Sequence, residues 1–340
     1  MPASADTAYI SPERDADERL LTPTSPTFAA AARGVTIATI LVVLMGAVVR
    51  ITGSGAGCGQ HWPTCHGEVA HLPKSVETWI ELTHRVTSGL DFLSVVALTW
   101  LSFRLPKRHP ARLATYAALF LMLVEVAIGA RLVLLSLVGS NLSIDRVVVM
   151  PAHLITTSLL LGALGAASYF SSPRRLEREG APGGAEARAL DGAFRWVLGA
   201  GLLLLLVSMT GAITALGDTV YPVQGRGTLE HLQNDQAAGG HLLGKLRVVH
   251  PLLALLGVAG LWIAGSRARD ATHAAGVQRV GAALYAGGAL ALVIGLVNIW
   301  LAAPGYLQVI HLLMACLLWL SVVVLGCMLW DLRARRDASR

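Results

Sequence analysis

The chain has 340 residues, of which 54% are hydrophobic and only 14% charged, and its net charge is +6. Soluble domains carry about 25% charged residues, so this composition excludes an ordinary soluble globular protein and points to an integral membrane protein. Of the 27 Lys and Arg residues, 19 fall in the segments 1–33, 104–112, 171–195, 266–279 and 331–340. That placement is the signature of cytoplasmic segments between membrane spans; no nucleic-acid partner is expected from it.

The first 27 residues, most of the segment 1–32 before the first apolar run, are polar and include Asp6, Glu13, Asp15, Asp17 and Glu18. Transit peptides are poor in acids, and secretory signals carry a short apolar core near the start. The expectation is therefore a disordered cytoplasmic tail, with the first helix as an uncleaved membrane signal in a bacterial plasma membrane. Apolar runs of spanning length follow at about 33–50, 82–103, 113–138, 147–170, 194–215, 246–265, 280–301 and 306–330. The segment 171–193, "SSPRRLEREGAPGGAEARALDGA", divides them four and four. Around it the halves echo each other. "GAVVRITGSG" (46–55) ends the first run and "GAITALGDTV" (211–220) the fifth, and a long outer loop follows each. A weak repeat with an even helix number predicts similar bundles related by an axis along the membrane normal. The fold class expected is an all-α integral membrane protein with eight transmembrane helices in two pseudo-symmetric four-helix bundles. The bundles cover 33–170 and 194–330, with a cytoplasmic linker at 171–193 and a cytoplasmic tail at 331–340.

Cys58 and Cys65 fall in the first outer loop, where an oxidising environment permits a disulfide. Cys316 and Cys327 lie inside the last helix and read as packing residues.

Among eleven histidines, four lie on helices: His84, His153, His250 and His311. All are on even-numbered helices, within one to two turns of the outer end. Each half thus offers two imidazoles at one shallow depth, 69 residues apart in the first half and 61 in the second. A lone histidine on a spanning helix is most simply an interhelical hydrogen bond. Matched pairs favour a shared cofactor. Haem iron takes two axial imidazoles on opposite faces, and a four-helix bundle can enclose the macrocycle. Zinc would need further Cys, His or carboxylate ligands, which are scarce here. Arg50, Arg85, Arg131 and Arg247 border the outer side, where they can pair with haem propionates or snorkel to the interface.

At "GAVVRITGSGAGCGQHWPTCHG" (46–67) and "ELTHRVTSG" (81–89), together with the histidines of helices four, six and eight, the chain resembles the haem A synthase family over about 33–330. The resemblance implies oxidation of a methyl substituent of haem O to a formyl group, giving the haem A of terminal oxidases. It implies that His250 and His311 ligate a resident haem b, that His84 and His153 flank the substrate haem, and that Glu81 is the catalytic carboxylate. A haem O synthase and terminal oxidase assembly factors are the partners it suggests, beside the lipid membrane. One family feature is missing: the loop "LGDTVYPVQGRGTLEHLQNDQAAGGHLLGK" (216–245) lacks the second cysteine pair that many relatives have.

Glu81 and His84, three residues apart, share a helix face, so a haem held by His84 has Glu81 near its rim. There the carboxylate can accept protons or stabilise developing positive charge; simple pairing with Arg85 one turn on is the alternative. Two rival readings are a di-haem cytochrome b-like electron carrier and a haem transporter or chaperone. No flavin, nicotinamide or iron–sulfur fingerprint is present.

Overall fold

The computed structural model describes residues 24–70, 72–139, 141, 143–172, 184–220 and 246–338. Among them the chain is all-helical, with eight long helices and no strand. Those of the first half are α1 (Pro26–Ile51), α2 (Val76–Ser102), α3 (Pro110–Leu134) and α4 (Ile144–Phe170). Those of the second are α5 (Gly184–Val220), α6 (Val249–Ala271), α7 (Ala275–Trp300) and α8 (Gly305–Ala338).

The first four helices start where a side chain can satisfy an orphan amide. Ser25, Ser75 and Ser143 accept from the backbone amides of Phe28, Thr78 and Arg146. At α3 the acceptor is the His109 ring, whose Nδ1 lies 3.2 Å from the Ala111 amide. Pro26 and Pro110 follow their caps at the first helical position, where proline has no amide to lose. Pro251 sits in the first turn of α6 for the same reason.

Several helix boundaries lie beyond the apolar runs. Helix α1 begins at Pro26, inside the segment expected as tail, whose first 23 residues lie outside the described residues. Helix α5 begins at Gly184, within the expected linker 171–193, of which 173–183 lie outside the described residues. Helix α8 continues to Ala338, through most of the expected tail. The outer loop after α5 lies outside the described residues from 221 to 245.

Seven of the eight helices are long and apolar enough to cross a membrane. The exception is α2, where Glu77, Glu81, Arg85 and Asp91 break the apolar run.

Helix α1 packs on α2 and α4, and α3 on α2 and α4; α5 packs on α6 and α8, and α7 on α6 and α8. Phe28, Val95, Leu98, Met122 and Leu164 centre the first set, and Val197, Leu261, Leu284, Leu325 and Leu329 the second. The sets meet where α1 and α4 touch α8 and α4 also touches α5. Two α4 glycines make the closest approach possible. A Cβ on Gly165 would stand 2.6 Å from Leu320 and one on Gly162 3.1 Å from the Trp319 ring nitrogen. Small residues let helices approach this way in lipid, where packing rather than water expulsion drives association. Trp319 then donates its indole N–H to the Ser158 carbonyl. Outward-facing positions are apolar, as Leu41, Trp100, Phe120, Leu202 and Trp300 show with 61–70% exposure, which suits a lipid-facing surface.

Candidate functional site

Each even-numbered helix carries one of the four histidines, and three of the four rings lie against a glycine of the helix before. A Cβ on Gly46 of α1 would approach the His84 Cε1 to 3.2 Å. One on Gly211 of α5 would meet His250 at 3.0 Å, and one on Gly295 of α7 would meet His311 at 3.2 Å. Any larger residue would occupy the space of the ring. In the fourth case the glycine is open. Nothing lies within 4 Å of a Cβ on Gly129 of α3, and the His153 Nδ1 lies 2.6 Å from a Glu125 oxygen instead.

In the second half the two imidazoles face a common space. Their ring centroids are 6.3 Å apart and their planes nearly perpendicular, at 88°. Two imidazoles bonded to one metal at about 2 Å would place their centroids roughly 6 Å apart. His250 Nδ1 lies 3.1 Å from the Val207 carbonyl and 3.4 Å from the Thr210 hydroxyl. A backbone carbonyl at that nitrogen keeps the proton there and leaves Nε2 as the electron-pair donor. His311 Nδ1 is buried with no hydrogen-bond partner among the described residues, as is His84 Nδ1. Unpaired buried nitrogens are costly, and a metal bound at Nε2 leaves that cost in place. Among the described residues no three His, Cys, Asp or Glu side chains gather to hold a bare ion; two imidazoles facing one space are a donor set that suits the iron of haem. These residues fit haem.

In the second turn of α2, Glu81 is 3% exposed and both its oxygens are used. Oε2 accepts the Cys58 amide at 2.7 Å, and Oε1 accepts from the Arg85 guanidinium, with Nε at 3.1 Å. Arg85 also donates to the carbonyls of His61 and Thr64. The loop so held is closed by a Cys58–Cys65 disulfide. Gly57 lets it settle on the first turn of α2, since a Cβ there would come within 2.6 Å of the Glu77 backbone. The Thr78 hydroxyl donates to the Gly57 carbonyl at 2.7 Å.

The other arginines are placed differently from one another. Arg50 leaves the end of α1 and donates to the Ala215 carbonyl, the Thr219 hydroxyl and Gln308 of the second half, at 2.8–3.0 Å. Arg247 pairs with Asp218 at 3.0 Å and donates to the Gly217 carbonyl. Arg131, in the last turn of α3, is exposed.

Two acids absent from the sequence-based candidates belong to the same helix faces. Glu125 of α3 meets His153 and accepts from the hydroxyls of Thr156 and Thr157. Asp91, two turns below His84, is buried, and its two oxygens share the Thr39 hydroxyl of α1. The signal was present: an ionisable residue inside an apolar run such as "FLMLVEVAIG" marks function by default.

A family model described as cytochrome oxidase assembly protein, COX15-CtaA, matches residues 30–323. The chain is 44% identical over 322 residues to a protein of Thermus thermophilus named protoheme IX farnesyltransferase, covering 93% of this chain and 50% of that one. It is 41% identical over 97 residues to the heme A synthase of an Exiguobacterium species, covering 28% of this chain and 32% of that one. With the heme A synthase of Bacillus cereus it shares 46% identity over 90 residues, 26% of this chain and 29% of that one. The chain thus spans half the length of the longer relative and about a third of the two synthases.

Proposed function

Because the chain belongs to the COX15-CtaA family of cytochrome oxidase assembly proteins, we propose that it is a haem A synthase, a membrane oxidoreductase that converts a methyl group of haem O into the formyl group of haem A. One observation carries this reading. A buried carboxylate, Glu81, is held one turn ahead of His84, and Arg247 stands at the matching position ahead of His250. Both halves are built to hold a haem, and the first alone has an acid there.

Eight spans in two four-helix bundles are the arrangement we infer. The neighbour pattern of the helices supports it, each half closing a ring of four. Helix α2 is the eighth span. Its 27 residues extend about 40 Å, enough for a bilayer core of roughly 30 Å. Its acids Glu81 and Asp91 are buried, while Trp79, Leu90, Leu93 and Trp100 face outward. The Lys and Arg asymmetry puts the disulfide loop outside and both termini in the cytoplasm.

His250 and His311 are the residues that would hold a resident haem b, and bound there it supplies one-electron redox chemistry. The chain's own contribution is orientation and charge. The Val207 carbonyl sets the His250 tautomer, and the Gly211 and Gly295 gaps seat both rings. On the substrate side, His84 and His153 flank haem O. Turning the methyl into a formyl group removes four electrons and adds one oxygen atom, so an electron acceptor and an oxygen donor from outside the chain are required, and Glu81 is the residue we assign to take up the protons released. Arg85 and the Cys58 amide hold that carboxylate in place. Arg50, Arg85, Arg131 and Arg247 are the cations available to propionates. Three of them already carry protein partners, so they would share those donors.

Haem O is too apolar to cross water freely, so a membrane enzyme that farnesylates protohaem is the natural supplier. The Thermus relative named for that reaction, matched over half its length, supports such a partnership, with terminal oxidase assembly downstream. The deciding experiment is pigment extraction and chromatography of membranes expressing this chain with a haem O source. Haem A is expected; haem O left unchanged would reassign the chain to electron carriage or haem transport.

A further inference from the structure

The four histidine sites follow one register, and one of them breaks it. In the second half, the Nδ1 partner of His250 is the carbonyl of Val207, four residues before the glycine that seats the ring. On α3 the residue four before Gly129 is Glu125, and it is the Glu125 side chain that meets the His153 Nδ1 at 2.6 Å. The same offset from the glycine of the preceding helix therefore supplies a neutral backbone acceptor to His250 and a carboxylate to His153, while on α7, the counterpart of α3 in the second half, that offset holds Ala291. His84, His153 and His311 make no formed hydrogen bond at Nδ1 among the described residues; of the three, His153 alone has a carboxylate oxygen beside that nitrogen. Glu125 is itself tied down. Thr157 donates to Oε2 at 2.9 Å and Thr156 donates to Oε1, and its side chain is only 10% exposed. A carboxylate fixed by two hydroxyl donors presents its remaining lone pairs to the ring and can only accept there.

We propose that Glu125 is a positioning residue of the substrate-haem site: it holds the Nδ1 proton of His153, fixing the ring's tautomer and plane so that Nε2 faces the haem as the most strongly electron-donating of the four imidazoles. This rests on the reading of His84 and His153 as the pair flanking haem O. A carboxylate partner raises the basicity of a ligating imidazole, and losing such a partner typically costs about 10–100-fold in affinity or activity. The asymmetry has a use. The haem that is to be changed is held by one strongly donating and one unpartnered imidazole, while the resident haem is held by a carbonyl-partnered one.

The test uses the full-length protein purified with its resident haem, with ferric protohaem added as the probe. Uptake is followed by visible spectra, and the reduction midpoint of the added haem is measured. Glu125→Leu should weaken uptake of the added haem by about tenfold or more and lose its six-coordinate low-spin spectrum. The resident haem's spectrum, unchanged, certifies the fold. Glu125→Gln keeps an acceptor without the charge, so it should restore the low-spin spectrum while moving the midpoint of the added haem upward. Uptake and midpoint like wild type in both variants would overturn the proposal. If wild type takes up no added haem, or His153→Ala takes it up as wild type does, the assignment of the pair fails, and the role of Glu125 with it.

Discussion

Three residues ahead of the histidine that opens the second helix of each half, the chain places opposite charges: Glu81 before His84 and Arg247 before His250. Each is neutralised locally, Glu81 by Arg85 on its own helix and Arg247 by Asp218 on the neighbouring one. Equal neutralisation leaves unequal chemistry, because only a carboxylate can take a proton from an oxidising carbon. Glu81→Ala should leave haem uptake largely intact and stop oxidation at haem O or its alcohol; pigment chromatography reads the difference, and a normal haem A yield would sink the assignment. The same change strips the Cys58 amide of its acceptor, so a stability loss of about 1–3 kcal/mol is expected for an unsatisfied buried donor, measurable as a lowered unfolding midpoint. In the second half, His250→Ala or His311→Ala should abolish the low-spin haem b spectrum. A spectrum that survives both would move the resident haem to the first half.

At the scale of helices, the distances set by glycine decide where a ring can lie. A side chain on Gly211 begins 3.0 Å from the His250 ring, so Gly211→Val should displace an axial imidazole without touching a ligand residue. Gly129→Ala meets nothing and should be silent. Comparing the haem spectra of the two variants checks both outcomes. None of these pairings was legible in the sequence, where Gly46 and His84, or Gly211 and His250, are about forty residues apart and belong to different helices. The histidines themselves were legible, as were Glu81 and the two cysteines, because each breaks a local expectation. Glu125 was equally visible but its partner was not, since a lone acid in an apolar run does not say which neighbour it meets. Helix ends were read too short for a physical reason. The apolar runs stop short of the ends of α5 and α8, which continue on polar pairs: Arg333 with Asp191 between the two helices and Arg335 with Asp331 one turn apart on α8.

For the molecule as a whole, the two halves are held together at two levels. Midway along α8, α4 interlocks with it through Gly162 and Gly165 against Trp319 and Leu320. At the C-terminal end of α1 Arg50 bridges to α5 and α8. Gly165→Leu should force the halves apart, since its Cβ alone would overlap Leu320, and a lowered midpoint of detergent unfolding would register it. The Arg50 bridge has a different consequence. A cation whose three acceptors all belong to the other half makes each half an incomplete fold, because alone it would leave either a stranded guanidinium or stranded acceptors. Severed between residues 173 and 183 and co-expressed, the two pieces should find each other in the bilayer and co-purify, while Arg50→Ala should weaken that pairing. Although the sequence repeats, the contact between its halves does not: at the end of α1 a single side chain, Arg50, reaches three acceptors of the other half.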